Sequence, residues 1–374
     1  MMNRKTRVAV LYGGKSGEHE VSLKSAASVL RYLDRDRFEP VPVSIDKEGR
    51  WQCHDLARID ASNTESLPIP SESPSVRFEP RADGRTAILP SDSGTAAIAP
   101  VDVVFPVIHG PLCEDGSLQG LLELSGAAYV GSGVLGSAVS MHKDIAKRLA
   151  ALAGLPVAPY FALARRDFRS DPDGSTKAAR AGLTLPVFVK PCNMGSSVGV
   201  HKVKRWEDLD RALADAFQYD LKVLIEQGID AREIEVAVLD GQPPVASIAS
   251  ELNAGPQHEF YSYEAKYIDQ DGASVDLPAK LDPAQMARVR QLAIDAFVAL
   301  DCNGLARVDF FLDRQSGEFY FNEINTLPGF TAISMYPKMM EASGLPYPAL
   351  LTRLIELAQE RHAERAGLRT SYEG

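Results

Sequence analysis

The chain has 374 residues, with 40 basic and 50 acidic side chains and a formal charge of -10. Its length suits two or three domains with a large buried interior, and 45% hydrophobic with 24% charged residues is the balance of a globular protein, not of a disordered or fibrous one. The acidic balance argues against nucleic acid or an anionic membrane as the main partner, and no segment approaches the length needed to span a bilayer. Cys53, Cys113, Cys192 and Cys302 lie far apart without a CxxC pair, so neither a zinc site nor a disulfide framework is expected. Free thiols in a reducing cytoplasm follow, and the apolar run in MMNRKTRVAVLY is too short for a signal peptide.

The first element is a strand, TRVAVLY, which runs into the glycine turn and helix start GGKSGEHEVS. Gly14, Lys15 and Ser16 supply the second half of a P-loop, but Ala9, inside the strand, stands where the first glycine must be. The motif fails where its geometry is set. What is left is a helix N-terminus with free N–H groups and partial positive charge, suited to a small anion such as a carboxylate; an ordinary βα turn is the competing reading. The runs SLKSAASVLRYL, FEPVPVSI, VDVVFPVIHG and SLQGLLELSG continue a βαβ pattern with a parallel sheet. Residues 60–98, rich in Ser, Pro, Thr, Gly and Asp with short strand candidates such as RTAILP, interrupt it as a peripheral insertion.

Gly131, Gly133 and Gly136 in AYVGSGVLGSAVSMHKD match GxGxxG. They come late in the sheet and lack an acidic partner about twenty residues on, so a turn is favoured over a dinucleotide site. The middle of the chain reads as two strands, a helix and a strand: LPVFVKP, VGVHKV, DLDRALADAF and KVLIEQGID. The last part carries REIEVAVLDG, PPVASIASEL, a helix in ARVRQLAIDAFVALD, the strands LARVDFFLD and EFYFNEINT, and a closing helix around YPALLTRLIELAQERHAER.

Three stretches carry chemistry. In RVDFFLD and YFNEINTLPGF, alternate strand residues share a face, which groups Glu323 and Asn325, with Phe321 expected on the same side, and brings Asp309 to them by strand pairing. Two carboxylates and an amide in apolar strands suit Mg²⁺, which takes its remaining ligands from water and phosphates. In VFVKPCNMGSSVGV, Lys190 ends a strand and residues 193–199 form a Gly/Ser loop able to close over phosphates; a plain hairpin loop is the alternative. The polar, aromatic stretch FYSYEAKYIDQDGASVDLPAKL has the character of a binding loop, with Lys266 placed to meet a transferring phosphoryl group.

Taken in order, GGKSGEHEVS, VIHGPLCEDGSLQGLLE, GSGVLGSAVSMHK, VKPCNMGSSVGV, the EAKY loop, RVDFF and NEINTLPGFT resemble the ATP-grasp fold and, within it, the D-alanine:D-alanine ligase family, over almost the full chain. The resemblance implies an α/β protein: an N-terminal parallel-sheet βαβ domain over 1–140, then two α+β ATP-grasp subdomains over 141–228 and 229–374. It implies ATP-dependent ligation of two D-alanine molecules through a D-alanyl phosphate, for peptidoglycan precursors. Two Mg²⁺ ions held by Asp309, Glu323 and Asn325, with Mn²⁺ as a substitute, would bridge the β and γ phosphates. Lys143 and Lys190 would contact the α and β phosphates, Lys266 the γ phosphate, and Glu226 and Glu233 the adenine amine and ribose hydroxyls.

Arg307 and the backbone N–H of Gly329 would form an oxyanion hole, a task that suits a forked guanidinium. Glu18 would pair with the ammonium of the first D-alanine in a hydrogen-bonded set with Ser196 and Tyr267, with His109 nearby; a satisfied structural histidine is the competing reading of the last. Ser334 and Met335 would receive the second D-alanine. A tyrosine at position 267 points to D-alanine rather than D-lactate as acceptor. The resemblance further implies a cytoplasmic homodimer. Two features depart from it: the long 60–98 segment and Cys-Asn-Met in the flap, tolerable because backbone N–H groups meet the phosphate. A D-lactate or D-serine ligase, and a binding module that kept only the fold, are the competing functions; intact Arg307, Glu323 and Asn325 speak against the latter.

Overall fold

The structure, a computed structural model, describes residues 4–59, 65–70, 73–81, 83–91, 98–255 and 273–369. Lys266 and Tyr267, with the rest of the EAKY loop, lie outside the described residues. No described helix is long and apolar enough to cross a membrane.

The strand Thr6–Gly13 is buried along almost its whole length, as expected of a parallel strand covered on both faces. It pairs in parallel with Phe38–Ile45 on one side and Val103–Pro106 on the other, while Trp51–Cys53 adds an antiparallel edge beside Phe38–Ile45. The chain thus leaves the first strand to one side and later returns on the other, so a crevice opens beyond the carboxyl ends of Thr6–Gly13 and Val103–Pro106, the switch point where such sheets bind ligands. Gly13 and Gly14 turn out of the sheet there with φ of 93° and 97°. A Cβ on Gly13 would lie 2.2 Å from the Ile45 carbonyl oxygen, so the turn requires glycine both for its left-handed backbone and for space. The helix His19–Tyr32 follows and buries Leu23, Ala26, Val29 and Leu30 on the sheet.

The 60–98 segment is less peripheral than its composition implies. Val76–Pro80, Thr86–Pro90 and Ile98–Val101 form a small antiparallel sheet, and Val76 and Ile88 are buried in one core with Leu11 and Val43. In the sequence, the few apolar side chains that anchor these strands are outnumbered by polar ones.

The second sheet is antiparallel, in the order His201–Val203, Val187–Pro191, Lys222–Gln227, Tyr160–Ala164. Helices Pro172–Gly182 and Leu209–Ala216 cover it with Ala179, Leu209 and Leu213. The expected strands and helix are all present; the strand Tyr160–Ala164 and the helix Pro172–Gly182 add to them. Asp171 starts that helix, its side chain accepting the Gly174 N–H at 2.9 Å ahead of Pro172.

The third sheet runs in the order Ala273–Asp276, Ser250–Ala254, Ala231–Leu239, Leu305–Asp313, Phe319–Asn325. The helix Pro283–Ala299, opened by a capping box between Asp282 and Gln285, covers one face with Val289, Leu292, Ala296 and Phe297. The opposite face is left for polar side chains, and strand alternation decides which residues stand there. Between Asp309 and Phe310 the pairing slips by one residue: Asp309 stands opposite Glu323, but Phe310 stands opposite Phe321. This β-bulge overturns the expectation that Phe321 shares a face with Glu323 and Asn325. Phe321 is fully buried beside Phe310 and Phe319, and the extra residue, Asn322, reaches the polar side instead. The last helix, Tyr347–Ala366, returns to the first domain, where Leu350, Leu351, Leu354 and Ile355 share a core with Val8, Val10 and Leu30.

Candidate active site

The site faces of the three sheets meet around two clusters. The first lies at the switch point of the parallel sheet. Glu18, just ahead of the helix His19–Tyr32, accepts a hydrogen bond from the Ser196 hydroxyl at 2.6 Å across 178 positions of sequence. Ser196 sits in the loop between Val187–Pro191 and His201–Val203, where it and Ser197 adopt φ of 53° and 58°. Two successive residues in that region turn the backbone tightly, and such strain gathers at functional loops.

Next to Glu18, His109 is buried, its Nδ1 2.9 Å from the Leu327 carbonyl oxygen. Because a carbonyl only accepts, Nδ1 carries the proton. Burial works to lower the His109 pKa, but the carboxylates of Glu114, 3.8 Å away, and Glu18 outweigh it and the net shift is upward. Glu114 is itself shifted upward, first by burial and then by Glu18, with His109 opposing. Among the described residues, Glu18 and Glu114 thus both act on one imidazole.

The second cluster lies on the open face of the third sheet. Leu305–Asp313 alternates without a break after Ala306: Val308, Phe310 and Leu312 are buried, while Arg307, Asp309 and Phe311 face the site. Pairing places Asp309 between Glu235 and Glu323, and Arg307 opposite Asn325. The Arg307 guanidinium forks onto Asp309 at 2.8 and 2.7 Å and meets Glu235 at 3.3 Å. Burial pushes the Asp309 carboxyl up; Arg307 opposes, Glu235 and Glu323 add to the rise, and the result is about 7. A carboxyl pressed by two others has room for more positive charge than Arg307 supplies. Among the described residues no three His, Cys, Asp or Glu side chains converge as a finished metal site. The all-oxygen donor set of Asp309, Glu323 and Asn325 nevertheless fits Mg²⁺ chemically, with phosphates and water completing it. The Asn325 side-chain oxygen also accepts the Leu327 N–H at 2.9 Å, which fixes the start of the following loop.

Lysines bridge the two subdomains. Lys143, at the start of the helix Lys143–Leu152, is buried, donates to the Met194 carbonyl at 2.7 Å in the Ser196 loop and pairs with Glu323 at 2.9 Å. Lys190 pairs with Glu226, reaches Asn322 at 3.4 Å and lies over the Phe311 ring, 5.2 Å from its centroid. Glu226, expected at adenine and ribose, has both oxygens turned to lysines here, the second to Lys147 at 2.6 Å. Burial would raise its pKa, but Lys147 and Lys190 reverse that and hold it at about 2. Glu233 stands on the same sheet face, opposite Phe311.

Gly329 and Ser334 are adjacent: a Cβ on Gly329 would lie 2.7 Å from the Ser334 hydroxyl, which accepts the Thr331 N–H at 3.0 Å. Met335 opens the helix Met335–Ala342 and packs, half-buried, against the core of the first sheet. Lys15 is exposed and lies against Gly49, away from these groups.

Sequence reading missed Glu114, Lys147 and Asn322. Glu114 lay inside the quoted VIHGPLCEDG stretch, and Lys147 lies one helical turn after Lys143, a spacing that places both on one face. Nothing short of the bulge pointed to Asn322.

The chain matches two family models, the D-ala D-ala ligase N-terminus over residues 7–132 and the D-ala D-ala ligase C-terminus over residues 149–356. It is 66% identical over 371 residues to D-alanine–D-alanine ligase A of Bradyrhizobium diazoefficiens, covering 99% of this chain and 100% of that protein. Among solved structures, the VanG D-Ala:D-Ser ligase from Enterococcus faecalis superposes with a TM-score of 0.81 at 34% identity, covering 95% of this chain and 100% of that one. The D-alanine-D-alanine ligase from Coxiella burnetii gives 0.79 at 35% identity, covering 97% and 96%. With the ATP-grasp arrangement of its sheets and these matches along its whole length, the chain belongs to the D-alanine–D-alanine ligase family.

Proposed function

We propose that the two clusters divide the work of this family's reaction, the ATP-dependent joining of two D-alanine molecules. The observation that carries this reading is the Glu18–Ser196 hydrogen bond, which supports it by joining the residue read as the ammonium partner to the loop read as the phosphate flap. Glu18 and Glu114, with His109 between them, hold the ammonium of the first D-alanine and aim its carboxylate at the second cluster. Lys143 and Lys190 exchange their carboxylate partners for the α and β phosphates, while Lys266, outside the described residues, reaches the γ phosphate. Glu233 meets the ribose hydroxyls, and Glu226, when Lys190 turns to phosphate, stays paired with Lys147.

The first D-alanine carboxylate takes the γ phosphoryl group, ADP leaves, and Arg307 with the Gly329 N–H steadies the acyl phosphate. The second D-alanine, its carboxylate on the Ser334 hydroxyl and its side near Met335, attacks the acyl carbon with its amine. Arg307 and Gly329 then bear the oxyanion of the tetrahedral intermediate, which collapses to the dipeptide as phosphate departs and the amine loses a proton. Asp309, Glu323 and Asn325 would hold two Mg²⁺ ions, or Mn²⁺ in their place, which when bound neutralise charge on the β and γ phosphates. Tyr267 would close the Glu18–Ser196 set and favour D-alanine as acceptor.

A cytoplasmic homodimer belongs to the same reading. Leu121, Leu124, Val134 and Leu135 are exposed on the helices Ser117–Leu124 and Val134–Met141, which supports a covered face, and four free buried cysteines support a reducing compartment. The test is incubation with ATP, Mg²⁺ and D-alanine, with D-lactate and D-serine offered in parallel at neutral pH. D-Alanyl-D-alanine with D-alanine-dependent phosphate release is expected; no dipeptide, or a preferred D-lactate or D-serine product, overturns the reading.

A further inference from the structure

The loop that carries Gly329 is held locally by Asn325 and Ser334 and, on both sides of Gly329, by side chains from other elements. His109 donates from Nδ1 to the Leu327 carbonyl at 2.9 Å, on the near side of Gly329. On the far side, the Phe330 N–H donates to the Ser25 hydroxyl oxygen at 3.2 Å, across 305 positions, and the Tyr347 hydroxyl donates to the Phe330 carbonyl at 2.8 Å. Ser25 and His109 also meet each other, Oγ to Nε2, at 3.4 Å. The Ser25 oxygen accepts from Phe330 while it faces the Nε2 of His109, whose Nδ1 donates to Leu327. The result is one connected set of hydrogen bonds, Phe330 N–H, Ser25, His109 and Leu327 C=O, around the peptide that presents Gly329.

Ser25 is fully buried and has no counterpart in the chemistry of the reaction. A serine inside a helix normally returns its hydroxyl to a carbonyl of its own preceding turn. This one reaches out of its helix, which also begins just after Glu18. We propose that Ser25 is a positioning residue: with His109 it clamps residues 327–330 and sets the direction of the Gly329 N–H, so that one helix fixes both the amino-acid site and the oxyanion site. The proposal rests on the reading of Gly329 as an oxyanion donor.

The test is Ser25→Ala in the full-length protein, with thermal unfolding to confirm the fold, amide hydrogen exchange at Phe330, and steady-state kinetics. Loss of the acceptor is expected to speed Phe330 exchange about fivefold. It should also lower kcat about tenfold while KM for ATP stays within about twofold, because a misaimed donor is lost to the transition state and not to nucleotide binding. Unchanged Phe330 exchange overturns the clamp whatever kcat does, and so does a rise in KM for ATP at constant kcat. Faster exchange with unchanged kcat overturns the role of Gly329, and with it the catalytic part of the proposal. Should Ser25→Ala not fold, Ser25→Cys, which keeps the volume and weakens the acceptor, is read by the same outcomes.

Discussion

The two clusters handle charge in opposite ways. Around Glu18, among the described residues, two carboxylates, Glu18 and Glu114, act on one histidine, and Glu18 raises the pKa of both His109 and Glu114. Between the second and third sheets the charges are paired, Lys143 with Glu323, Lys147 and Lys190 with Glu226, and Arg307 with Asp309 and Glu235. On the proposed reading the first cluster takes a cation and the second trades partners when a polyanion arrives. An ammonium and a nucleotide would draw on that contrast, because buried charges are tolerated only when paired.

The largest expected effect comes from breaking the paired cluster at its centre. Glu323→Gln keeps the shape of the side chain but removes the charge proposed to ligate metal and the partner of Lys143. Dipeptide formation should fall by about a thousandfold with little change in melting temperature, in line with loss of a principal charge stabiliser. Retained Mg²⁺-dependent turnover would show that Glu323 is not a metal ligand.

Removing charge from the other cluster is predicted to act on binding. Glu18→Gln should raise KM for the first D-alanine by about thirtyfold and leave KM for ATP unaltered, as expected when a charged hydrogen-bond partner of an ammonium is lost. Initial rates with each substrate varied in turn distinguish the two; a change confined to ATP would assign Glu18 to the nucleotide.

A smaller effect probes how the paired cluster is kept together. Lys147→Met leaves Glu226 with Lys190 alone, which should hold that lysine back from phosphate and raise KM for ATP about fivefold. The same pair gives a pH signature. Glu226 titrates at about 2 in the folded chain, below its ordinary range, so its ionic stabilisation is complete above about pH 4.5 and is lost as the pH falls toward 2. The stability gap between the native chain and Glu226→Gln, followed by denaturant unfolding from pH 6 down to pH 3, should narrow on acidification. A constant gap would mean that Glu226 is not held ionised by Lys147 and Lys190.

Much of the site was legible before folding, for local reasons. Arg307 and Asp309 share a face because residues two apart in a regular strand do, and Leu305–Asp313 obeys that rule. Gly13 and Gly14 marked a turn because glycine suits a left-handed backbone, pressed at Gly13 against Ile45 and at Gly14 against Ile108. The place where period-two reasoning failed was Phe321, since a bulge depends on the partner strand and leaves no mark in the strand that carries it. The 60–98 segment misled in a similar way, because Val76 and Ile88 are few among polar residues and only contact with Leu11 and Val43 reveals them as core.

Local pattern thus determined the strands, the glycine turns, the order of the chemical motifs and, through their resemblance, the family. Tertiary structure alone decided which distant groups meet: Glu18 with Ser196, Lys147 with Glu226, and Ser25 with Phe330. Their separations along the chain run to hundreds of residues, and a hydrogen bond or ion pair of about 3 Å is set by how sheets and helices stack, not by the spacing of residues within any one of them.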